Sequence, residues 1–132
     1  MPEQGFAVIR RAIDHLNETG DFASECFDPE VEWTTRSDGP THDTFHGVAG
    51  LRSGLQTLRE AWGSGIRLEI QELIGTPEAF VMVMSARLRG QGSGVELEVE
   101  EGWAIRMRDG RIWRAEQYGS KPEALQAAGL QD

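Results

Sequence analysis

The sequence predicts an α+β fold in which helices cover one face of an antiparallel sheet. Three observations carry this expectation. Helical periodicity is concentrated in the first half of the chain, alternating apolar and polar residues dominate from Ile66 to Tyr118, and turn residues rather than helices separate those later runs. At 132 residues the chain is expected to form one domain spanning 1–132, large enough to bury a core. A composition of 39% hydrophobic and 27% charged residues argues for a globular chain over a disordered one.

The elements follow in order. Phe6, Ile9, Ile13 and Leu16 form the apolar stripe of an amphipathic helix, with Gly20 as its stop. Asp21 is expected to cap a short second helix over "FASECF", ended by "DP" at 28–29, because a residue before proline disfavours helical geometry. "VEWTT" alternates and is rich in β-branched residues, so it reads as a strand. "RSDGPTHDTFHG", residues 36–47, is turn chemistry throughout and reads as a loop of the kind that covers sites. The longest helix starts near Val48, with Leu51, Leu55, Leu58 and Trp62 on one face, and closes at "GSG", 63–65. Strands follow in "IRLEIQELI", "AFVMVMSARLRG", "VELEVEEGWAIRMR" and "RIWRAEQY". "DG" at 109–110 is a two-residue hairpin signal. Ser120 and Glu123 stand at capping-box spacing for a short closing helix.

Side chains alternate along a strand, so Val95, Leu97, Val99, Glu101, Trp103, Ile105 and Met107 share one face and Glu96, Glu98, Glu100, Arg106 and Arg108 the other. The first set faces the helices. A tight turn at 109–110 pairs Arg108 with Arg111 and, in unbroken register, Met107 with Ile112, Ile105 with Arg114, Trp103 with Glu116 and Glu101 with Tyr118. Directly paired residues point the same way. This places Glu101, Glu116, Tyr118 and Arg114 on the covered face, where a carboxylate needs a cation, a donor or water. Two readings stay open. These groups meet in a partly wet cavity, or Arg114, Glu116 and Arg87 form ion pairs while a bulge at Gly102 turns Glu101 outward.

The charge balance excludes several partner classes. With 13 basic against 22 acidic residues the net charge is −9, which repels phosphate backbones and anionic lipid, so neither nucleic acid nor a membrane is expected as a partner. The start, "MPEQGFAVIRRAIDHL", lacks the basic-then-apolar pattern of an export signal, and no run reaches the length of a membrane span. A cytoplasmic location follows as the expectation, with Cys26 a free structural thiol and the sequon at 17–19 unused.

Other constellations carry less. His42, Asp43 and His46 lack a third strong ligand, so no metal is expected, and His46 reads either as a group at a cavity mouth or as a solvent-facing side chain. "GQGSG", 90–94, lies between strands with no helix N-terminus to hold a phosphate, and reads as a hairpin turn; no cofactor is expected. Trp33, Trp62 and Trp103 read as core residues that also shape a cavity. Trp113, an apolar ring among Arg and Glu, suggests a subunit contact.

"FDPEVEW", "FHGVAGLRSGLQTLREAW", "RLRGQGSGVELEVE", "RMRDGRIWRAEQY" and "EALQAAGL" together span almost the whole chain, and in their order and spacing they resemble the nuclear transport factor 2-like superfamily, within it the SnoaL-like polyketide cyclase group. The resemblance implies a cone-shaped curved antiparallel sheet wrapped around N-terminal helices, an apolar cavity at one end and a homodimer through the outer sheet face. It does not select an activity, because the cone serves isomerases, epoxide hydrolases, cyclases and binding proteins. Where ketosteroid isomerases place a general-base Asp, the nearest match is Trp33. The Asp-Arg-Asp set of limonene epoxide hydrolases is incomplete here, with Arg87 near its Arg and Gln117 or Glu116 near one Asp. Many SnoaL-like members carry an Asp after the final strand's Tyr, and this chain reads "YGSKPEAL".

The expectation is therefore a protein that binds a hydrophobic, oxygen-bearing small molecule. In the enzymatic reading Glu101 or Glu116 exchanges a proton beside a carbonyl, Tyr118 donates to the oxyanion and His46 assists. Trp33, Trp62, Arg87, Trp103 and Arg114 line the ligand. In the alternative reading the chain is a non-catalytic dimeric binding or interaction module whose charged groups satisfy one another.

Overall fold

Alternating strand patterns and two long amphipathic stripes produce three helices and one six-stranded sheet. The computed structural model describes residues 2–35, 44–62, 66–89 and 96–130. In chain order these are α1 (Pro2–Thr19), a single 3-10 turn (Ser24–Cys26), β1 (Phe27–Thr34), β2 (Thr44–His46), α2 (Gly47–Trp62), β3 (Arg67–Gly75), β4 (Ala79–Arg89), β5 (Glu96–Arg108), β6 (Arg111–Tyr118) and α3 (Lys121–Ala128). The strand order is β2-β1-β6-β5-β4-β3. Every adjacent pair is antiparallel except β1 and β6, so the sheet is mixed where an antiparallel one was expected. The chain reaches β6 beside β1 only after crossing the whole sheet, and a long-range closure of this kind leaves no trace in local periodicity.

Helix ends follow their sequence signals. Gly20 adopts φ +76° and its N–H bonds the Leu16 carbonyl at 2.9 Å, closing α1. Ser120 caps α3, its hydroxyl accepting from the Glu123 N–H and donating to the Glu123 carboxylate at 2.9 Å. The expected helix over "FASECF" is reduced to the 3-10 turn. Asp21 instead accepts from the adjacent Phe22 N–H at 2.8 Å and from Arg52 at 2.9 Å, and Asp28 and Pro29 lie inside β1, at a register irregularity where a proline is tolerated. Residues 44–46 form β2 rather than loop, through pairing of Trp33 with Phe45; positions 36–43 lie outside the described residues.

The core has two sides. Ile9 and Ala12 of α1 and Leu51 of α2 pack with Val31, Phe80, Met82, Met84, Ile105 and Ile112 on the inner sheet face. On the outer face, Ala124 and Ala128 of α3 pack on Val81, Val83 and Ala104. Helices therefore cover both faces, not one. That is why β4 is apolar at consecutive positions: Phe80 and Met82 serve one side, Val81 and Val83 the other. Among the described residues no helix is long and apolar enough to cross a membrane.

The β5–β6 hairpin decides which residues face inward. Asp109 and Gly110 take φ +53° and +75°, the geometry of a tight two-residue turn, and Arg108 and Met107 pair with Arg111 and Ile112 as expected. The register then slips by one. Arg106 pairs with Arg114, leaving Trp113 as an extra, bulged residue, and Ile105, Ala104, Trp103 and Gly102 pair with Ala115, Glu116, Gln117 and Tyr118. Trp113 is held at the bulge by guanidinium groups over its ring, Arg108 at 4.6 Å and Arg114 at 4.3 Å. Arg108 is itself anchored to Asp28 at 3.0 Å. The expected shared face of Glu101, Glu116, Tyr118 and Arg114 is thereby overturned: Glu101 keeps the inner face, and the other three lie on the outer one. No bulge forms at Gly102, which stays in register with Val83. Its missing side chain admits α3, since a Cβ there would stand 2.4 Å from the Ser120 carbonyl oxygen.

Candidate functional site

The inner face of β1, β6 and β5 gathers Trp33, Gln117, Trp103 and Glu101. Alternation along β1 turns Val31 and Trp33 inward and Glu32 and Thr34 outward. The Trp33 ring lies 5.3 Å from that of Phe45 and 6.2 Å from that of Trp103, tilted by 38° to the latter. Gly50 and Gly54, one turn apart on α2, let the helix sit directly on these rings. A Cβ at Gly54 would come within 2.7 Å of the Trp33 ring and 3.1 Å of Phe45.

At the edge of this aromatic cluster stands the half-buried Glu101 carboxylate. Trp103 Nε1 donates to its Oε1 at 3.2 Å, and Gln117 Nε2 donates to its Oε2 at 2.5 Å. These two N–H donors orient the carboxylate, Trp103 at one oxygen and Gln117 at the other. Chemically this is an aromatic wall ending in an oriented proton acceptor.

The other expected site residues lie elsewhere. Tyr118 donates to Glu116 at 3.4 Å on the outer face, and burial, followed by the Glu116 charge, pushes its phenol above the ordinary value. Arg114 is exposed there, opposite Glu32. His46 pairs with Glu32 across β1–β2, its Nδ1 3.6 Å from the carboxylate, with 70% of its side chain exposed; it turns away from the face that Phe45 joins. Arg87 is exposed and pairs with Glu98 at 3.4 Å. Trp62 ends α2, and its side chain lies outside the described residues, as do His42, Asp43 and the "GQGSG" stretch. Among the described residues no three His, Cys, Asp or Glu side chains are grouped to hold a metal. Cys26 is buried, which pushes its thiol above the ordinary value. An open groove of about 700 Å³ between the start of α1 and the hairpin turn is lined by Gly5, Val8, Met107 and Trp113 among others, and touches none of the aromatic cluster.

Phe45 and Gly54 escape the sequence-based expectations, and Gln117 enters them only as one of two positions near an epoxide hydrolase Asp. Gln117 comes inward only because of the bulge, and Phe45 only because residues 44–46 pair with β1. Gly54 had a legible signal, its four-residue spacing from Gly50 on the helix face.

Comparison with known proteins agrees with this architecture. The SnoaL-like domain family matches residues 9–115. No curated protein matches the chain. Among solved structures, TerC crystallised with polyporic acid superposes with a TM-score of 0.75 at 20% identity, covering 95% of this chain and 97% of its own. A nuclear transport factor 2-like protein of unknown function from Burkholderia pseudomallei gives 0.75 at 18% identity, with the same coverages of 95% and 97%. A proposed SnoaL-like polyketide cyclase from Jannaschia sp. CCS1 gives 0.72 at 13% identity, covering 98% of this chain and 94% of that one.

Proposed function

Because the chain belongs to the SnoaL-like domain family, we propose that it binds a hydrophobic, oxygen-bearing small molecule against Trp33, Phe45 and Trp103, and that Glu101 accepts a proton from it. The observation that carries this is the inward Glu101 carboxylate, oriented by Trp103 and Gln117 at the end of an aromatic wall. Apolar rings supply affinity, and a small number of placed polar groups orient the ligand. In the reaction, the C–H bond beside a ligand carbonyl breaks, its electrons move into the C–O unit as an enolate, and its proton goes to a Glu101 oxygen, to be returned at the same or a neighbouring carbon. Gln117 and Trp103 hold the carboxylate in place. Isomerisation, aldol-type cyclisation and epoxide opening all draw on a placed acid/base of this kind. That a relative of the same fold has been crystallised with a small molecule supports the binding half of the reading.

Incubation with 2-tetralone in deuterated buffer tests the chemistry. Wild-type protein is expected to accelerate deuterium entry beside the carbonyl, and Glu101→Gln to abolish that acceleration while still binding the ketone. Equal exchange by both proteins would overturn the role of Glu101.

The engagement of both Glu101 oxygens by protein donors favours a second reading, a non-catalytic binding module. It predicts binding of the ketone without exchange. In either reading the protein works in the cytoplasm as a homodimer through the part of the outer sheet face that α3 leaves open, around Glu32, Thr34 and Arg114. Light scattering at micromolar concentration checks this, and a monomer would overturn it.

A further inference from the structure

The Trp33 indole nitrogen is the one buried side-chain nitrogen or oxygen without a hydrogen-bond partner among the described residues. Leaving such a donor unpaired costs stability, and native proteins seldom do so without a reason. The surroundings leave no room for a water at this atom, so a partner reaches it only when the side chains over it move aside. Among the described residues, the groups that pack on its ring offer it nothing: Phe45 and Trp103 present rings, Gly54 presents no side chain, and Trp103 gives its own N–H to Glu101. The two tryptophans of the cluster therefore differ in kind. One is a donor in use, which orients Glu101, and the other is a donor in reserve.

We infer that the Trp33 N–H is a specificity-determining donor, which hydrogen-bonds a carbonyl oxygen of the ligand bound to the aromatic wall. This rests on the small-molecule reading above and deepens it by naming the chemistry of the ligand. Trp33 supplies a donor and Glu101 an acceptor, so the matching ligand is a flat apolar carbonyl compound whose oxygen faces Trp33 and whose acidic C–H or O–H faces Glu101. A site with an unpaired buried donor discriminates strongly against a ligand that lacks the acceptor, whereas its apolar walls tolerate variation in ring shape. Tyr118, expected from the sequence to hold the oxyanion, lies on the opposite sheet face, and Trp33 takes over that task.

Equilibrium dialysis with 9-fluorenone and with fluorene, its counterpart without the oxygen, tests the assignment. Wild-type protein is expected to prefer fluorenone by about five- to tenfold, the worth of one net hydrogen bond. Trp33→Phe is expected to lose the preference and to bind both probes alike, more weakly than wild type because ring area is lost from the wall. To separate the lost N–H from lost ring area, Trp33 is also replaced by 3-benzothienylalanine, which keeps the bicyclic shape and lacks the donor. This protein should be at least as stable as wild type, since no bond is lost, and should also show no preference. A preference retained by the benzothienyl protein, or equal binding of the two probes by wild type, overturns the role of Trp33 and leaves the binding reading standing. Failure of wild type to bind either probe overturns both.

Discussion

Gln117 and Glu101 meet across β6 and β5 through a 2.5 Å hydrogen bond, the amide donating to the carboxylate. One residue earlier on β6, Glu116 faces the other side of the sheet beside Tyr118. Had the register run unbroken, two carboxylates would have met on the inner face instead of a carboxylate and its donor.

Gln117→Glu recreates that pairing. Two adjoining carboxylates cannot both ionise cheaply, so one holds its proton to higher pH. The variant is expected to approach wild-type stability at pH 4.5 and to lose about 1–3 kcal/mol at pH 7.5. Urea unfolding at the two pH values checks this, and an equal loss at both would show that the amide matters for packing alone.

The Arg108 guanidinium, first as a hydrogen-bond donor, holds the Asp28 carboxyl below its ordinary value. A depressed folded value means that the unfolded chain takes up the proton first as pH falls. The contribution is full above the ordinary Asp range, about 3.9, and is lost as pH falls through the lower folded value. Arg108→Met should return the Asp28 titration, followed by carboxyl NMR, toward the ordinary value and flatten the acid limb of stability. It should also release Trp113, seen as a change in its indole resonance.

Tyr118 is the one tyrosine in the chain, so tyrosinate absorbance near 295 nm reports on it alone. Burial is the leading cause of its raised value, with the Glu116 charge and hydrogen bond next. Because the folded value is raised, stability is full below the unfolded value of about 10 and falls as pH rises through the folded one. Glu116→Gln should move the midpoint part of the way down and leave the share due to burial. An unchanged midpoint would mean that Glu116 and the phenol do not interact in solution.

Gly54→Ala drives a methyl group into Trp33 and Phe45. The expected cost is about 1–3 kcal/mol of stability, typical of overpacking, with a weakened near-ultraviolet circular dichroism signal from the displaced Trp33–Trp103 pair. Gly110→Ala, in open space at the hairpin turn but at φ +75°, should leave that signal unchanged.

From the residue order alone follow the long helices, the Asp109–Gly110 turn, the capped final helix and the inward placement of Glu101 and Trp103 on β5, because helical stripes and strand alternation are local rules that neighbouring residues enforce. The pairing partner across the hairpin is a different matter. Strand parity carries from β5 to β6 only if no residue is inserted, and the insertion at Trp113 is stabilised by Arg108, itself held by Asp28 from 80 positions away. That contact, made only in the folded chain, exchanged Glu116 for Gln117 beside Glu101. Likewise Phe45 reached Trp33 through strand pairing, and the unpartnered Trp33 N–H became visible only once the described residues around it were in place.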